Sequence, residues 1–438
     1  MDPITRNRLI VLCCAILLLL TIGVSGFMHF FSDDPLEPYE RAKIILQDAP
    51  LIDGKNGIAY NIRKLANNDL RRFNFSSLIN SWKSQKFSQT DLLRLREGGV
   101  QAQIFAARAD CDSQYRDAVP ITLEQIDVLK RLVSNYSSFM MLVNNSEDIS
   151  KANEDEKIAC ILSIEGGHSI QSSLAILRQY YDLGVRMMTL AKGCNTPWID
   201  YSKVDHVNKS MKALPYHFGM TTFGEDVVAE MNRLGMIIDV SHTSTTAMKE
   251  VLEKSQAPIV FSHSAARNIC DSEHNLEDSI LELVREKNAV IMIPFDSRTI
   301  TCNSPNSTLY HVIEHIEYIK AKTSVDNIGI GSNFDGMDRP VRGLEDVSKF
   351  PMLFAALIES GWDYDDLEKL AGKNFFRVFT EVEKVRDELE SMDPIQTFVE
   401  RKQVKFWDSE NCTSRMGLFP LDLKPTFSFP KDLLPSWG

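Results

Sequence analysis

Nine short apolar runs, each followed by a polar or helix-patterned stretch, constrain this chain more than any other feature. They are APLID (49–53), VQAQIFAA (100–107), SFMMLVN (138–144), KIACILSIE (157–165), VRMMTLAK (185–192), GMIIDVSH (235–242), APIVFSHS (257–264), AVIMIPF (289–295) and NIGIGSNF (327–334). Runs this short have strand length, and near-continuous apolarity is what a strand buried on both faces requires. Amphipathic stretches lie between them. ITLEQIDVLKRLVSNY carries apolar residues at Ile121, Ile126, Leu129, Leu132 and Val133, and Thr122 with Gln125 reads as a capping box opening that helix. QSSLAILRQYYDLG and GEDVVAEMNRLG both close on glycine, a usual helix stop, and EDSILELVREKN is a further amphipathic helix. Strand–helix alternation over most of the chain, with no internal repeat, predicts one large parallel α/β domain, a TIM-like (β/α)8 barrel, with one of the nine strands supernumerary.

The flanks read differently. Arg6 and Arg8 precede Leu9–Phe31, an apolar run without Asp, Glu, Lys or Arg that is long enough to cross a bilayer. The division expected is a short cytoplasmic segment (1–8), a signal-anchor (9–31), the barrel (32–385) and a C-terminal wrapping or tethering tail (386–438). The arginines favour a cytoplasmic N-terminus, which makes this a single-pass cell-membrane protein with an extracellular C-terminal domain. The small residues Val24-Ser25-Gly26 also suit a cleaved signal peptide and a secreted product. Both readings export the body. Sequons at Asn74, Asn135, Asn144, Asn208, Asn306 and Asn411 and eight cysteines agree with an oxidising, glycosylating compartment. A net charge of −12 argues against nucleic acid as a partner.

In such a barrel the chemistry gathers at the C-terminal strand ends. These ends carry Asp53-Gly54-Lys55, Glu165-Gly166-Gly167-His168, Lys192, Ser241-His242, Ser262-His263 and Asn333-Phe334-Asp335. Glu165, His242 and His263 form a plausible three-ligand zinc set with an open position.

Several long strings resemble the membrane (renal) dipeptidase family. They are SIEGGHSIQSSLAILRQYYDLGVRMMTLAKGCNTPW, RLGMIIDVSHTS, APIVFSHSAAR, GSNFDG, GLEDVSKFP and CDSQYRDAVPITLEQIDVLKRL, spread over about residues 40–385. The resemblance implies a barrel metallohydrolase that cleaves dipeptides with two zinc ions bridged by one glutamate. Glu165 corresponds to the bridging residue, and His242 and His263 to the ligands of the second ion. Five other positions depart. Lys55 and Gly57 stand at the His and Asp ligands of the first ion, and Lys192 at a further His. His274 stands at the arginine that grips the substrate carboxylate, and Asn333 at the aspartate that handles protons. An ammonium has no lone pair to donate, glycine has no side chain, and asparagine takes up no proton near neutral pH. His274 is shorter than arginine and lacks its bidentate fork.

The resemblance therefore implies a dipeptidase-like pseudoenzyme with weak or absent hydrolysis, one zinc ion or none, and a role in binding a dipeptide, peptide or lipid. The alternative is an active mononuclear zinc dipeptidase using Glu165, His242 and His263. Lys55, with Lys192, is expected to neutralise Glu165 in place of a missing cation. Restoring Lys55→His, Gly57→Asp and Asn333→Asp together is expected to return a second ion. The resemblance also implies disulfides Cys111–Cys194 and Cys270–Cys302 and an interchain bond at Cys412, hence a disulfide-linked homodimer. Cys160, inside an apolar strand, reads as a buried free thiol.

Overall fold

The computed structural model describes residues 36–76, 87–206 and 217–397. The apolar N-terminal run, Cys412, Asn208 and Asn411 lie outside the described residues. Among the described residues, no helix is long and apolar enough to cross a membrane.

All nine apolar runs contain strands: β1 (Leu51–Asn56), β2 (Val100–Arg108), β3 (Met140–Leu142), β4 (Ile158–Glu165), β5 (Val185–Thr189), β6 (Ile237–Asp239), β7 (Val260–Phe261), β8 (Val290–Ile293) and β9 (Ile328–Ile330). Every pairing is parallel, in the order β2-β1-β9-β8-β7-β6-β5-β4, and β2 pairs with β4 to close the ring of eight. β3 is the supernumerary strand. It pairs with the first half of β4, at Ile158–Cys160, while β5 pairs with the second half from Leu162 onward.

Strand alternation divides the core into two layers. Ile52, Ala102, Ile104, Ala159, Ile161, Met187, Ile237, Val260, Val290 and Met292 form one cluster with Phe375, Val378, Phe379 and Val382 of the helix Asn374–Glu388. These strand residues fill the barrel, and the helix closes its floor. The remaining apolar strand residues pack outward on the surrounding helices. The closing helix continues past residue 385, and beyond it Ile395 N–H donates to the buried Glu230, so ordered packing extends into the segment read as tail.

One local reading needs revision. The helix predicted to open at a Thr122/Gln125 box begins earlier, spanning Ala118–Asn135 with Asp117 at its N-cap. Thr122 instead bonds the Ala118 carbonyl one turn back, and Gln125 both accepts from Arg108 N–H and donates to the Arg108 carbonyl. A capping signature was thus the clamp that fixes the end of β2. The cysteines Cys111–Cys194 and Cys270–Cys302 are bonded, and Cys160 is a buried free thiol. Asn144 and Asn306 are exposed, whereas Asn74 and Asn135 are half-buried.

His315 shows how tightly the layers are specified. It is fully buried, accepts from Ala266 N–H at Nδ1 (3.0 Å) and donates from Nε2 to the Ile300 carbonyl (2.8 Å). Only the neutral ring satisfies both bonds, and burial pushes its pKa down from 6.5 to about 4. The unfolded chain therefore binds a proton that the folded one refuses. Stability from this group is complete above pH 6.5 and is lost as pH falls through that window, by about 3 kcal/mol. Urea midpoints measured from pH 7 to pH 4 are expected to fall less steeply in His315→Gln than in the parent chain.

Candidate metal centre

Lys55 enters the barrel because of a register irregularity. Asp53 pairs with Gln103 and Asn56 with Phe105, so β1 advances three residues while β2 advances two. The extra residue is a bulge, which re-aims the side chains around it. Outside the bulge Asp53 stays anchored, accepting from Ser332 N–H, Ser332 Oγ and Gln103 Nε2. Burial pushes Asp53 up to about 6 despite these bonds. Lys55 is only 2% exposed and reaches across to the carboxylate at the end of β4.

Glu165 is the hub. Lys55 Nζ lies 2.9 Å from its Oε2 and Lys192 Nζ lies 2.9 Å from its Oε1. The Lys55 contact is a directed hydrogen bond, whereas the Lys192 contact is an ion pair that leaves Oε1 without a well-aimed donor. Burial alone would raise the Glu165 carboxyl. Lys192 and Lys55, followed by His242 and His263, reverse this and hold it well below the usual carboxylate range. Lys192 is pushed down by burial, and Glu165 opposes that shift. Arg108, in register with Glu165 across β2 and β4, adds a third cation to the wall; it pairs with Asp110 at 3.0 Å and covers the Tyr60 ring.

The imidazoles complete the cluster. Asp239 accepts from Thr189 Oγ1 and from Ser262 Oγ at 2.6 Å. Having donated there, Ser262 Oγ accepts from His263 Nδ1 (2.7 Å), which leaves the His263 Nε2 lone pair facing the centre. His242 sits in left-handed backbone (φ 68°) just beyond β6, a strained conformation for a non-glycine residue. Its Nε2 is 2.7 Å from His263 Nε2 and its Nδ1 is 2.8 Å from His274 Nδ1. Burial lowers all three rings, His274 to about 3, so they stand neutral.

Glu165, His242 and His263 offer ligand atoms within 4.8 Å of one another. A carboxylate and two neutral imidazoles, one oriented by a serine, would suit a single zinc ion, and Lys192 Nζ also stands 2.9 Å from His242 Nε2. Each oxygen of Glu165 faces an amine in this arrangement.

The other sequence candidates separate. His274 joins the cluster through His242. Asn333 (φ 63°) is half-buried beyond β9 and turns its Oδ1 toward Gly336, into space that any side chain at 336 would fill. Gly57 caps the helix Ile58–Ala66, and its N–H donates to the Phe334 carbonyl. A Cβ there would lie 2.8 Å from the Asp335 carbonyl oxygen. The expected recovery of a second ion by Lys55→His, Gly57→Asp and Asn333→Asp therefore meets an obstacle: the Asp335–Gly336 backbone must move first. Arg108 was missed because the apolar run was ended at Ala107. The Asp53–Ser332 and Asp239–Ser262 supports were missed because their members come from different strands.

A parallel eight-stranded barrel that gathers Glu, His and His at its C-terminal strand ends has the architecture of the metallo-dependent hydrolase class. The comparisons agree. The profile of the membrane dipeptidase family (peptidase family M19) matches residues 39–393. The chain is 39% identical over 383 residues to Dipeptidase 3 of Mus musculus, covering 86% of this chain and 72% of that protein. It is 39% identical over 358 residues to Dipeptidase 3 of Homo sapiens, covering 81% and 70%. The fold is shared with the probable dipeptidase PvdM from Pseudomonas aeruginosa, at TM-score 0.68, 22% identity and coverage of 80% of this chain and 100% of that one. It is also shared with a metallo peptidase from Rhodobacter sphaeroides liganded with a phosphinate mimic of the dipeptide L-Ala-D-Ala, at TM-score 0.66, 22% identity and coverage of 76% and 99%. The chain belongs to the membrane dipeptidase family, M19, whose members are metal-dependent.

Proposed function

We propose that this chain is a dipeptidase-fold protein with weak or absent dipeptide hydrolysis, whose barrel mouth serves to bind a peptide-like or lipid ligand. One observation carries the reading: Lys55 and Lys192 each stand 2.9 Å from an oxygen of Glu165. The buried carboxylate is thereby neutralised by the chain itself. Its low pKa follows from that pairing without a second ion, and burial keeps the imidazoles neutral. Asn333 has no proton to exchange near neutral pH, and general acid–base help of this kind is worth roughly 10²–10⁴ in rate. His274, neutral and hydrogen-bonded to His242, supplies no fixed charge for a substrate carboxylate. The apolar N-terminal run and the sequons support an exported location, anchored or secreted, and Cys412 supports a disulfide-linked dimer.

A second reading has its own support. Glu165, His242 and His263 suit one zinc ion, which would supply Lewis-acid polarisation of a peptide carbonyl. In that case Glu165, His242 and His263 hold the ion, and Lys192 is placed to orient the carbonyl beside it.

Hydrolysis of a simple dipeptide by the purified chain, with zinc added and then chelated, separates the two. The leading reading expects release of free amino acids at or little above the rate of the protein-free control, with no dependence on added zinc. Turnover that chelator stops and His263→Ala abolishes, in protein carrying one zinc per chain, would establish the mononuclear enzyme instead.

A further inference from the structure

We propose that the Cys111–Cys194 disulfide, once reduced, forms with His168 a binding site for a soft divalent cation of the zinc class. The two sulfurs and a ring nitrogen of His168 lie within 4.8 Å of one another, and both cysteines are half-buried, within reach of a reductant. His168 is 1% exposed. Its Nε2 lies 2.9 Å from the Ala109 carbonyl oxygen, so Nε2–H donates there. Its Nδ1 is left with a buried lone pair and no hydrogen-bond partner. Burial pushes its pKa down, which keeps that lone pair free.

A backbone carbonyl that fixes one imidazole nitrogen while the other faces away is how metal-binding histidines are commonly oriented. Gly166 (φ 114°) makes room for the ring, since a Cβ there would lie 2.5 Å from His168 Cε1 and 2.9 Å from Nδ1. Gln114 Oε1, 3.2 Å from Cys194 Sγ, offers an oxygen at the same place. Two thiolates and one imidazole with a fourth position open is a zinc donor set. None of these residues belongs to the Glu165 cluster. Among the described residues the other disulfide, Cys270–Cys302, belongs to no such group.

The chemistry balances with a dithiol or trialkylphosphine reductant. Either reductant supplies two electrons and the S–S bond breaks: a dithiol passes its own two protons to the new thiols and becomes a cyclic disulfide, whereas a phosphine takes the oxygen of one water to become a phosphine oxide and that water's two protons complete the thiols. Metal binding then releases the two thiol protons and leaves two thiolate ligands.

The test uses the full chain, treated with a phosphine, freed of it under argon, and titrated with Co²⁺ as the probe. The expected result is thiolate-to-cobalt charge-transfer absorption that the unreduced chain lacks and that zinc removes. Cys111→Ser is expected to abolish it, and His168→Gln to weaken cobalt affinity by about tenfold or more. Circular dichroism checks that the reduced chain keeps its fold. Absence of the band in folded, reduced protein would overturn the proposal. So would its persistence in Cys111→Ser, or an unchanged affinity in His168→Gln. Unfolding on reduction would also overturn it, because the disulfide would then be a structural staple alone.

Discussion

Glu165→Gln is expected to destabilise the metal-free chain by about 3–5 kcal/mol, because it removes the anion that pairs the buried Lys55 and the half-buried Lys192. The direction matters more than the size. In a centre where a bare carboxylate waits for ions, neutralising that carboxylate relieves a burial cost, and the metal-free protein becomes more stable. Here the geometry predicts the opposite. Lys55 is 2% exposed, and its hydrogen-bond acceptor on Glu165 loses its charge on substitution. Lys192 is already pushed down by burial, and loss of Glu165 removes what opposes that shift. The cost therefore concentrates on Lys55. Urea denaturation in the presence of a chelator measures the change, and an increased midpoint for the variant would refute the pairing.

Lys55→Met supplies the second test. Alone it leaves Glu165 facing Lys192, one cation for one anion, and is expected to cost less than Glu165→Gln. Placed in the Glu165→Gln background it removes the amine that substitution left unpaired. The double variant is expected to be more stable than Glu165→Gln alone by roughly 2 kcal/mol, a coupling within the range of directly interacting residues. Contacts that merely coexist would give additive losses, and the double variant would then be the least stable of the three. Buried ion pairs are weak evidence for stability in general, since desolvation offsets attraction. The prediction accordingly concerns what happens when one partner is removed and the other stays.

The barrel was legible because its signal is local. A strand buried on both faces must be apolar along its length, and KIACILSIE and VQAQIFAA satisfied this without reference to anything distant. The supernumerary strand was also anticipated in number, though not in place, since nothing in SFMMLVN states that β5 takes over its side of β4 halfway along. At the site, residue types were readable and their aim was not. Lys55 stands at a strand end in the sequence, but only the bulge between Asp53 and Asn56 turns it inward. The obstacle at Gly57 is set by backbone at Asp335 and Gly336, far away in the chain. Thr122 and Gln125 misled for the same reason: a box-like spacing says nothing about whether Gln125 is needed to hold Arg108. Arg108 fell outside the apolar run by one position, yet it stands across from Glu165 in the closing register of the barrel.

We propose that two lysines, rather than a pair of ions, balance the buried glutamate of this dipeptidase-family barrel. Zinc counted per chain tests it most directly, by elemental analysis of non-reduced protein equilibrated with excess zinc and then dialysed. No more than one ion per chain is expected, lost on His263→Ala; two retained ions per chain would rule out the lysine pairing.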